Sequence, residues 1–242
     1  MIQMAFETIS AQSNVPLYLF GDHASRHIPK GFNALGLSGD DLTRHIAWDI
    51  GTDALIRNLT RHFGCGAQLA SVSRLVIDMN REPDAPGLIP IVSDGTLIPG
   101  NGNLSEKAKD ERINQYYKPY HAQLSGTMHH FQGKDPLIIS VHSFTPKPLS
   151  GEPRKTDIGL LVKHDEPSAK AFAKEIGARR SDLNIGLNLP YSAYDLNYTV
   201  DCHIAPHGYR HLAIEVRQDH LYTQDKIASM SALLASTIAA LL

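Results

Sequence analysis

The sequence predicts an α/β fold in which helices cover both faces of a mostly parallel β-sheet. Short apolar runs, each long enough for one strand, alternate along the chain with longer segments of helical periodicity. The clearest of these runs, at 16–21 and 136–141, both begin with proline. Because 242 residues with 42% hydrophobic content can bury one large core, and no internal repeat or linker divides them, we expect a single domain over residues 1–242.

In the first half of the chain, strands and a two-part helix precede a long loop. PLYLFG at 16–21 ends with glycine and is typical of a strand. Apolar residues at helical spacing over 39–63 predict a helix, divided near Gly51. The aliphatic stretch 67–79 predicts a strand, a bend and a second strand. Four prolines and four glycines in 80–103 predict an ordered loop.

The second half of the chain continues the alternation of helices and strands. Residues 105–131 have a helical composition, and Pro119 is expected to kink or split that helix. We further predict strands at 136–141, 157–162 and 211–216, helices at 167–179 and from 224 onward, and irregular structure over 184–210.

Composition excludes several classes of protein. Lys plus Arg is 23 against 25 for Asp plus Glu, which leaves a net charge of −2 and no basic stripe for nucleic acid or anionic lipid. The two cysteines offer neither a disulfide framework nor a thiolate metal site. No segment is typical of an export signal or a membrane span, so we expect a cytoplasmic protein. Thirteen histidines are the unusual feature.

Polar residues lie at the ends of four of the predicted strands, at the sheet edge where open α/β folds bind ligands. Two histidines and several carboxylates from separate strands are the ligand set of a zinc site with one open position. A single histidine at a strand end can equally bond to loop backbone. The residues concerned are Asp22 and His23, Asp78 with Asn80 and Arg81, His142, and Glu215 with Arg217.

Charged side chains near these strand ends suggest catalytic roles. Glu215 lies within an apolar strand, where burial is costly unless the carboxylate has a partner. If it faces the ligand crevice, it can take a proton from water and pass it to a leaving amine. Arg74, Arg81 and Arg217 are structural ion-pair formers by default, and beside a metal they could clamp a substrate carboxylate.

Other patterns are weak. His203 and His207 are four residues apart, but Pro206 argues against a helix there, so we predict loop histidines near the mouth of the site and a substrate contact for His207. Neither a dinucleotide-binding loop nor the G-x-S-x-G elbow of serine hydrolases is present. Cys202 is adjacent to His203, and adjacent side chains rarely point at one another.

Taken together, six motifs between residues 16 and 220 resemble the N-formylglutamate amidohydrolase family. The resemblance implies a three-layer α/β/α sandwich with a mostly parallel mixed sheet, similar to zinc-dependent exopeptidases and aspartoacylases. The motifs are GDHASRHIP at 21–29, SRLVIDMNR at 73–81, PYH at 119–121, HSF at 142–144, NLPY at 188–191 and EVR at 215–217.

Roles for several residues follow from this resemblance. Asp78, Asn80 and Arg81 match a D-x-N-R element, in which the aspartate supports a ligand histidine and the Asn–Arg pair holds the substrate carboxylate. Arg74 matches an upstream arginine that polarises the scissile carbonyl. Glu215 matches the late catalytic glutamate of the relatives.

The resemblance also implies the metal ligands. His23 and His142 match the two histidine ligands of the relatives. Their third ligand is the glutamate of H-x-x-E, but position 26 of this chain is Arg26. Asp22 is the nearest replacement and is therefore the predicted third ligand.

We thus predict a zinc-dependent amidohydrolase, with zinc or another divalent metal, that cleaves the amide of a small N-acyl amino acid. N-formyl-L-glutamate, which the family's named member hydrolyses to formate and glutamate in histidine catabolism, is the first expected substrate. The alternatives are a carboxypeptidase-like zinc hydrolase, a deacylase of longer acyl chains, and a non-catalytic binding domain of the same fold. The expected partner is a small-molecule substrate rather than nucleic acid or membrane.

Overall fold

The computed structural model describes residues 4–242, and a seven-stranded β-sheet forms its centre. The strands are β1 Phe6–Ile9, β2 Leu17–Gly21, β3 Gly66–Ala70, β4 Val92–Ser93, β5 Thr96–Leu97, β6 Leu137–Phe144, β7 Ile158–Leu161, β8 Ile185–Leu187 and β9 Arg210–Arg217. Across the sheet their order is β1-β3-β2-β6-β9-β7-β8, and β4 and β5 form a separate hairpin.

The sheet is mixed but mostly parallel. The four central strands β3, β2, β6 and β9 are parallel to one another. β1 runs antiparallel to β3, β7 runs antiparallel to β9, and β8 is parallel to β7. The carboxyl ends of β2, β6 and β9 therefore meet at one edge of the sheet, and the β6–β9 register places His142 directly beside Glu215.

Helices cover both faces of the sheet, which confirms the predicted three-layer α/β/α architecture. The helices are α1 Thr52–Phe63, α2 Glu106–Arg112, α3 Lys118–His129, α4 Glu166–Arg179, α5 Tyr198–His203 and α6 Gln224–Ala239. Side chains such as Leu19 and Ile139 pack with α1, α4 and α6 on one face. Tyr18 and Ile138 point to the other face and pack with α3 and α5. No helix within residues 4–242 is long and apolar enough to cross a membrane.

One predicted strand does not form. Residues 71–79 lie in turns after β3, although most of their apolar side chains are fully buried. Ser73 anchors this segment, because its amide donates to His27 O at 2.8 Å and its hydroxyl donates to Ala47 O at 2.6 Å. The aliphatic composition thus reflects burial in a second core beneath the loops rather than strand pairing.

The long proline-rich loop is ordered, as predicted. Asn101 donates from Nδ2 to Leu75 O at 2.8 Å and to Pro90 O at 2.7 Å, and Arg112 donates to Val76 O at 2.9 Å. The helical segment is divided near Pro119, as predicted, and Pro119 lies in the first turn of the second helix, α3. A wide π-type turn at Ile113–Tyr117 joins α2 to α3.

Candidate active site

Three buried side chains form a cluster that can hold a metal ion. The ligand-capable atoms of His23, Asp49 and His142 all lie within 4.8 Å of one another. Oδ2 of Asp49 is 2.9 Å from Nδ1 of His142 and 3.4 Å from Nδ1 of His23. Both imidazoles therefore present the same ring nitrogen to a single carboxylate.

The local fold explains how these residues meet. His23 lies two residues after the end of β2, and His142 lies near the carboxyl end of β6. Asp49 lies in the loop before α1, where its amide donates to His23 O at 3.0 Å. Gly51 permits this loop, since its φ is +85° and a Cβ there would lie 2.6 Å from the Cβ of Leu221.

The second ring nitrogens face two further carboxylates. Nε2 of His23 is 2.7 Å from Oδ1 of Asp78, as expected for a residue that supports a ligand histidine. Nε2 of His142 is 3.6 Å from Oδ2 of Asp22. Asp22, the third ligand predicted from the sequence, thus lies behind His142 and outside this cluster, and Asp49 is the carboxylate that faces Nδ1 of both histidines.

Asp22 is anchored by hydroxyl groups from two helices. The hydroxyls of Tyr120 and Thr199 donate to its Oδ1 at 2.8 and 3.1 Å. Its other oxygen, Oδ2, is buried without a hydrogen-bond partner. The carboxylate is thus fixed in the position from which it faces the outer nitrogen of His142.

The electrostatics of the cluster suit a cation. Burial opposes the charged forms of Asp49 and Asp78, but the adjacent histidines and Arg74 outweigh burial and hold the pKa of both carboxyls below the usual range. Burial likewise disfavours protonated His142, yet its carboxylate neighbours raise the pKa of that imidazole well above its ordinary value.

Glu215 differs from these carboxylates. It is 6% exposed, and its Oε2 is buried without a hydrogen-bond partner. Burial raises the pKa of Glu215 to about 7, although His142 acts in the opposite direction. A buried carboxyl group with this pKa can both accept and release a proton at neutral pH.

A cavity of about 140 Å³ brings these groups together with two of the predicted substrate-binding residues, Asn80 and Arg81. The amide of Asn80 accepts from Thr199 N at 3.0 Å through Oδ1. Nε of Arg81 is 3.8 Å from Asp78. The cavity is lined by His23, His45, Asp49, Arg74, Asn80, Arg81, His142, Ser143, Phe144, Thr145, Leu161, Tyr191, Leu196 and Glu215.

Arg74 is fixed by two carboxylates. Its Nη1 is 3.2 Å from Oδ1 of Asp49, and its Nη2 is 2.8 Å from Oδ2 of Asp78. The guanidinium therefore links the cluster to the residue that supports His23, while its side chain still reaches the cavity.

Two predicted substrate-binding residues lie away from the cavity. Arg217 forms ion pairs with Asp157 and Asp219, each at 2.7 Å. His207 precedes the amino end of β9 and stacks on Tyr209 with ring centroids 5.0 Å apart. The structure therefore does not bring these two residues to the other predicted site residues.

Asp49 is the residue of the cluster for which the sequence predicted no role in the site. Asp49 carries one signal that could have found it, a carboxylate within the otherwise apolar stretch 46–50. Such a residue is costly to bury without a partner. His45 and Tyr191 also line the cavity from loops, and Tyr191 belongs to the NLPY motif at 188–191.

Comparison with known proteins identifies the family. Residues 15–222 match the family model described as N-formylglutamate amidohydrolase. The structure of a gene product from Agrobacterium tumefaciens is similar at 32% identity and a TM-score of 0.92, covering 98% of this chain and 94% of that chain. An N-formylglutamate amidohydrolase from Ralstonia eutropha is similar in fold, at 21% identity and a TM-score of 0.77, with 97% of this chain and 96% of that chain covered.

No curated protein matches the chain. The family model nevertheless spans all six motifs that carry the resemblance, and it also spans the cavity residues. The chain therefore belongs to the N-formylglutamate amidohydrolase family.

Proposed function

We propose that this amidohydrolase uses a divalent metal, zinc in the first instance, to cleave the amide of a small N-acyl amino acid. The observation that carries the proposal is one cavity that combines a cluster of metal-ligand type with Glu215 and the Asn80–Arg81 pair. N-formyl-L-glutamate is the expected substrate, given the family to which the chain belongs.

The donor set fits a zinc ion. Two imidazoles and one carboxylate are the three protein ligands typical of catalytic zinc sites, which keep a further position open. Nδ1 of His23 is buried and has no hydrogen-bond partner, so a ligand would satisfy it. The opposite nitrogen of the same ring is already bonded to Asp78, as in most zinc-bound histidines.

His23, Asp49 and His142 are thus the proposed ligands. A divalent ion bound there would lower the pKa of a water molecule and polarise the scissile carbonyl. The carboxylates of Asp22 and Asp78 would fix the orientation of the two imidazoles from behind.

Glu215 is the proposed general base and acid. Its unpartnered Oε2 lies in the cavity wall, where it can take a proton from the attacking water. The same carboxyl group then delivers that proton to the leaving amine, which restores the carboxylate for the next turnover.

Three further residues bind and polarise the substrate. Asn80 and Arg81 are proposed to hold the α-carboxylate, since the Asp78 contact of Arg81 is long and leaves its guanidinium free for a second anion. Arg74, fixed by Asp49 and Asp78, is positioned to stabilise negative charge that develops on the carbonyl oxygen.

A substrate panel tests this proposal. Metal-replete protein is assayed for formate release from N-formyl derivatives of Glu, Asp, Gln and Met, and for amine release from the N-acetyl and longer N-acyl analogues. We expect formate release, with N-formyl-L-glutamate among the best substrates. Preference for longer acyl groups would indicate a different deacylase, and no hydrolysis of any N-acyl amino acid would overturn the proposal in favour of a binding domain.

A further inference from the structure

His45 lines the cavity, but it belongs neither to the metal-ligand cluster nor to the proposed substrate contacts. It lies in the segment between β2 and α1, four residues before Asp49. Its Nε2 is 3.2 Å from Oδ2 of Asp94, a residue in the turn of the β4–β5 hairpin. The imidazole is therefore held between the cavity and a carboxylate that is not part of the cavity wall.

Asp94 is itself fixed in position. The amide of Leu149 donates to both of its carboxylate oxygens, at 2.9 and 3.1 Å. The side chain of Asp94 is only 11% exposed. An imidazole whose second nitrogen faces a fixed carboxylate is the arrangement by which enzymes orient a histidine towards a substrate.

The carboxylate also decides which ring nitrogen of His45 carries the proton. Burial lowers the pKa of His45, although Asp94 acts in the opposite direction, so the imidazole is neutral at neutral pH. A neutral imidazole directs its N–H towards an adjacent carboxylate, which places the proton on Nε2. Nδ1 then carries a lone pair, and within residues 4–242 this atom is neither buried nor hydrogen-bonded.

The chemistry of the proposed substrate offers one partner to such an acceptor. The carboxylate and the acyl carbonyl of an N-acyl amino acid are themselves acceptors at neutral pH. The N–H of the scissile amide is the donor that the whole class shares, and in ionised N-formyl-L-glutamate it is the only donor. A hydrogen-bond acceptor in the cavity wall can therefore pair with that substrate only through the amide N–H.

We propose that Nδ1 of His45 accepts a hydrogen bond from the N–H of the scissile amide, and thereby makes the enzyme selective for amides over esters of the same shape. The contact would orient the amide as it is attacked. This inference rests on the proposed function, because it assumes that the cavity holds an N-acyl amino acid.

The test compares N-formyl-L-glutamate with the formyl ester of L-2-hydroxyglutarate, in which an oxygen atom replaces the N–H. Both compounds release formate, and the rates are corrected for spontaneous hydrolysis. The variants are His45→Leu, His45→Gln and, as a matched control, His164→Leu. His164 also faces a carboxylate, with Nε2 2.9 Å from Oδ1 of Asp201, but it does not line the cavity. Thermal melting of each variant reports whether the fold is retained.

We expect His45→Leu to lower kcat/KM for N-formyl-L-glutamate roughly 2- to 12-fold, the range for one hydrogen bond between neutral groups. The ester should change by less than about twofold, because it has no N–H that His45 could bind. His45→Gln, whose side-chain oxygen can accept a hydrogen bond, should lie between the parent and His45→Leu, and His164→Leu should match the parent.

Two results would overturn the inference: equal losses on both substrates, which indicate that the ring only shapes the cavity, or unchanged kinetics of His45→Leu with N-formyl-L-glutamate. If the parent hydrolyses neither substrate, the proposed function fails, and calorimetric titration of metal-replete protein with the same two compounds decides the inference separately. Tighter binding of the amide than of the ester, lost in His45→Leu, would support it. Equal binding of both compounds, or binding of neither, would overturn it.

Discussion

Two clusters of ionisable residues flank the carboxyl end of β9, and they differ in how completely their polar atoms are bonded. In the first, His23, Asp49 and His142 lie beside Glu215, and both Nδ1 of His23 and Oε2 of Glu215 are buried without partners. In the second, made of Asp157, Arg217, Asp219 and His220, none of the described side-chain atoms is buried without a partner.

The bonds of the second cluster, which we call the Asp157 cluster, account for this difference. Oδ1 of Asp157 is 2.7 Å from Arg217 and 2.8 Å from His220, and Oδ2 accepts from the backbone and side-chain nitrogens of Asn184 at 2.9 and 3.0 Å. Arg217 also donates to backbone carbonyls of residues 154–156. A saturated cluster stabilises the fold, whereas a cluster with buried, unbonded donors and acceptors is suited to bind a ligand.

The largest effect on activity is expected at Glu215. The Glu215→Gln variant keeps the shape of the side chain but cannot accept a proton, so kcat should fall by about 10²- to 10⁴-fold. Its metal content, measured by elemental analysis, should equal that of the parent. A variant with parental kcat would contradict the general-base role.

The next test asks whether Asp49 or Asp22 is the third metal ligand. Asp49→Asn should weaken zinc binding by more than about 100-fold, whereas Asp22→Asn, which alters only the residue behind His142, should weaken it by about 10- to 100-fold. Competition with a chromophoric chelator measures both affinities. The reverse order would restore the prediction from sequence, in which Asp22 is the ligand.

Loss of the proposed α-carboxylate contact should have a smaller effect. Arg81→Ala is expected to cost about 1.5–3 kcal/mol of substrate binding, or roughly 10- to 150-fold, seen chiefly in KM. Steady-state kinetics with N-formyl-L-glutamate measure this change. Unchanged KM and kcat would remove Arg81 from the binding site.

The Asp157 cluster should affect stability rather than activity. Burial opposes the charged form of Asp157, but Asn184, His220 and Arg217 outweigh burial and lower the pKa of this carboxyl. Asp157→Asn should therefore reduce the free energy of unfolding by about 1–3 kcal/mol at neutral pH, with kcat/KM within about twofold of the parent.

This loss of stability should depend on pH. Because the folded pKa of Asp157 lies below the unfolded value of about 3.9, its contribution is present above that value and is lost as the pH falls through the folded pKa. Urea unfolding at neutral and acidic pH should show the parent and Asp157→Asn converging in acid. A difference that is constant with pH would contradict a contribution from the ionised carboxylate.

Much of the fold could be predicted from sequence, because buried strands and amphipathic helices carry local patterns. The central strands β2, β6 and β9 lie within a residue or a few of their predicted bounds. The edge strands β1 and β8 were not predicted, since they are short and partly exposed and carry a weak pattern. The strand expected within 67–79 beyond β3 was wrong because burial alone produces the same composition.

The site could be predicted in part, for a related reason. His23, His142 and Glu215 lie in or just after strands, so a pattern of strand ends finds them. Asp49 lies in a loop, and only tertiary packing brings it to His142, 93 residues away in the chain. Arg217 also ends a strand, and although Asp219 lies two residues away, its other partner, Asp157, comes from a distant part of the chain and carries no local signal.

The central claim is that the His23–Asp49–His142 cluster holds the metal on which hydrolysis depends. Its most direct test is a titration of zinc into chelator-treated parent protein, with bound zinc and formate release from N-formyl-L-glutamate measured on the same samples. We predict that both rise together and reach a plateau at one zinc per chain, and that neither rises in a His23→Ala, His142→Ala double variant. Full formate release from parent protein that contains no bound metal would contradict the claim.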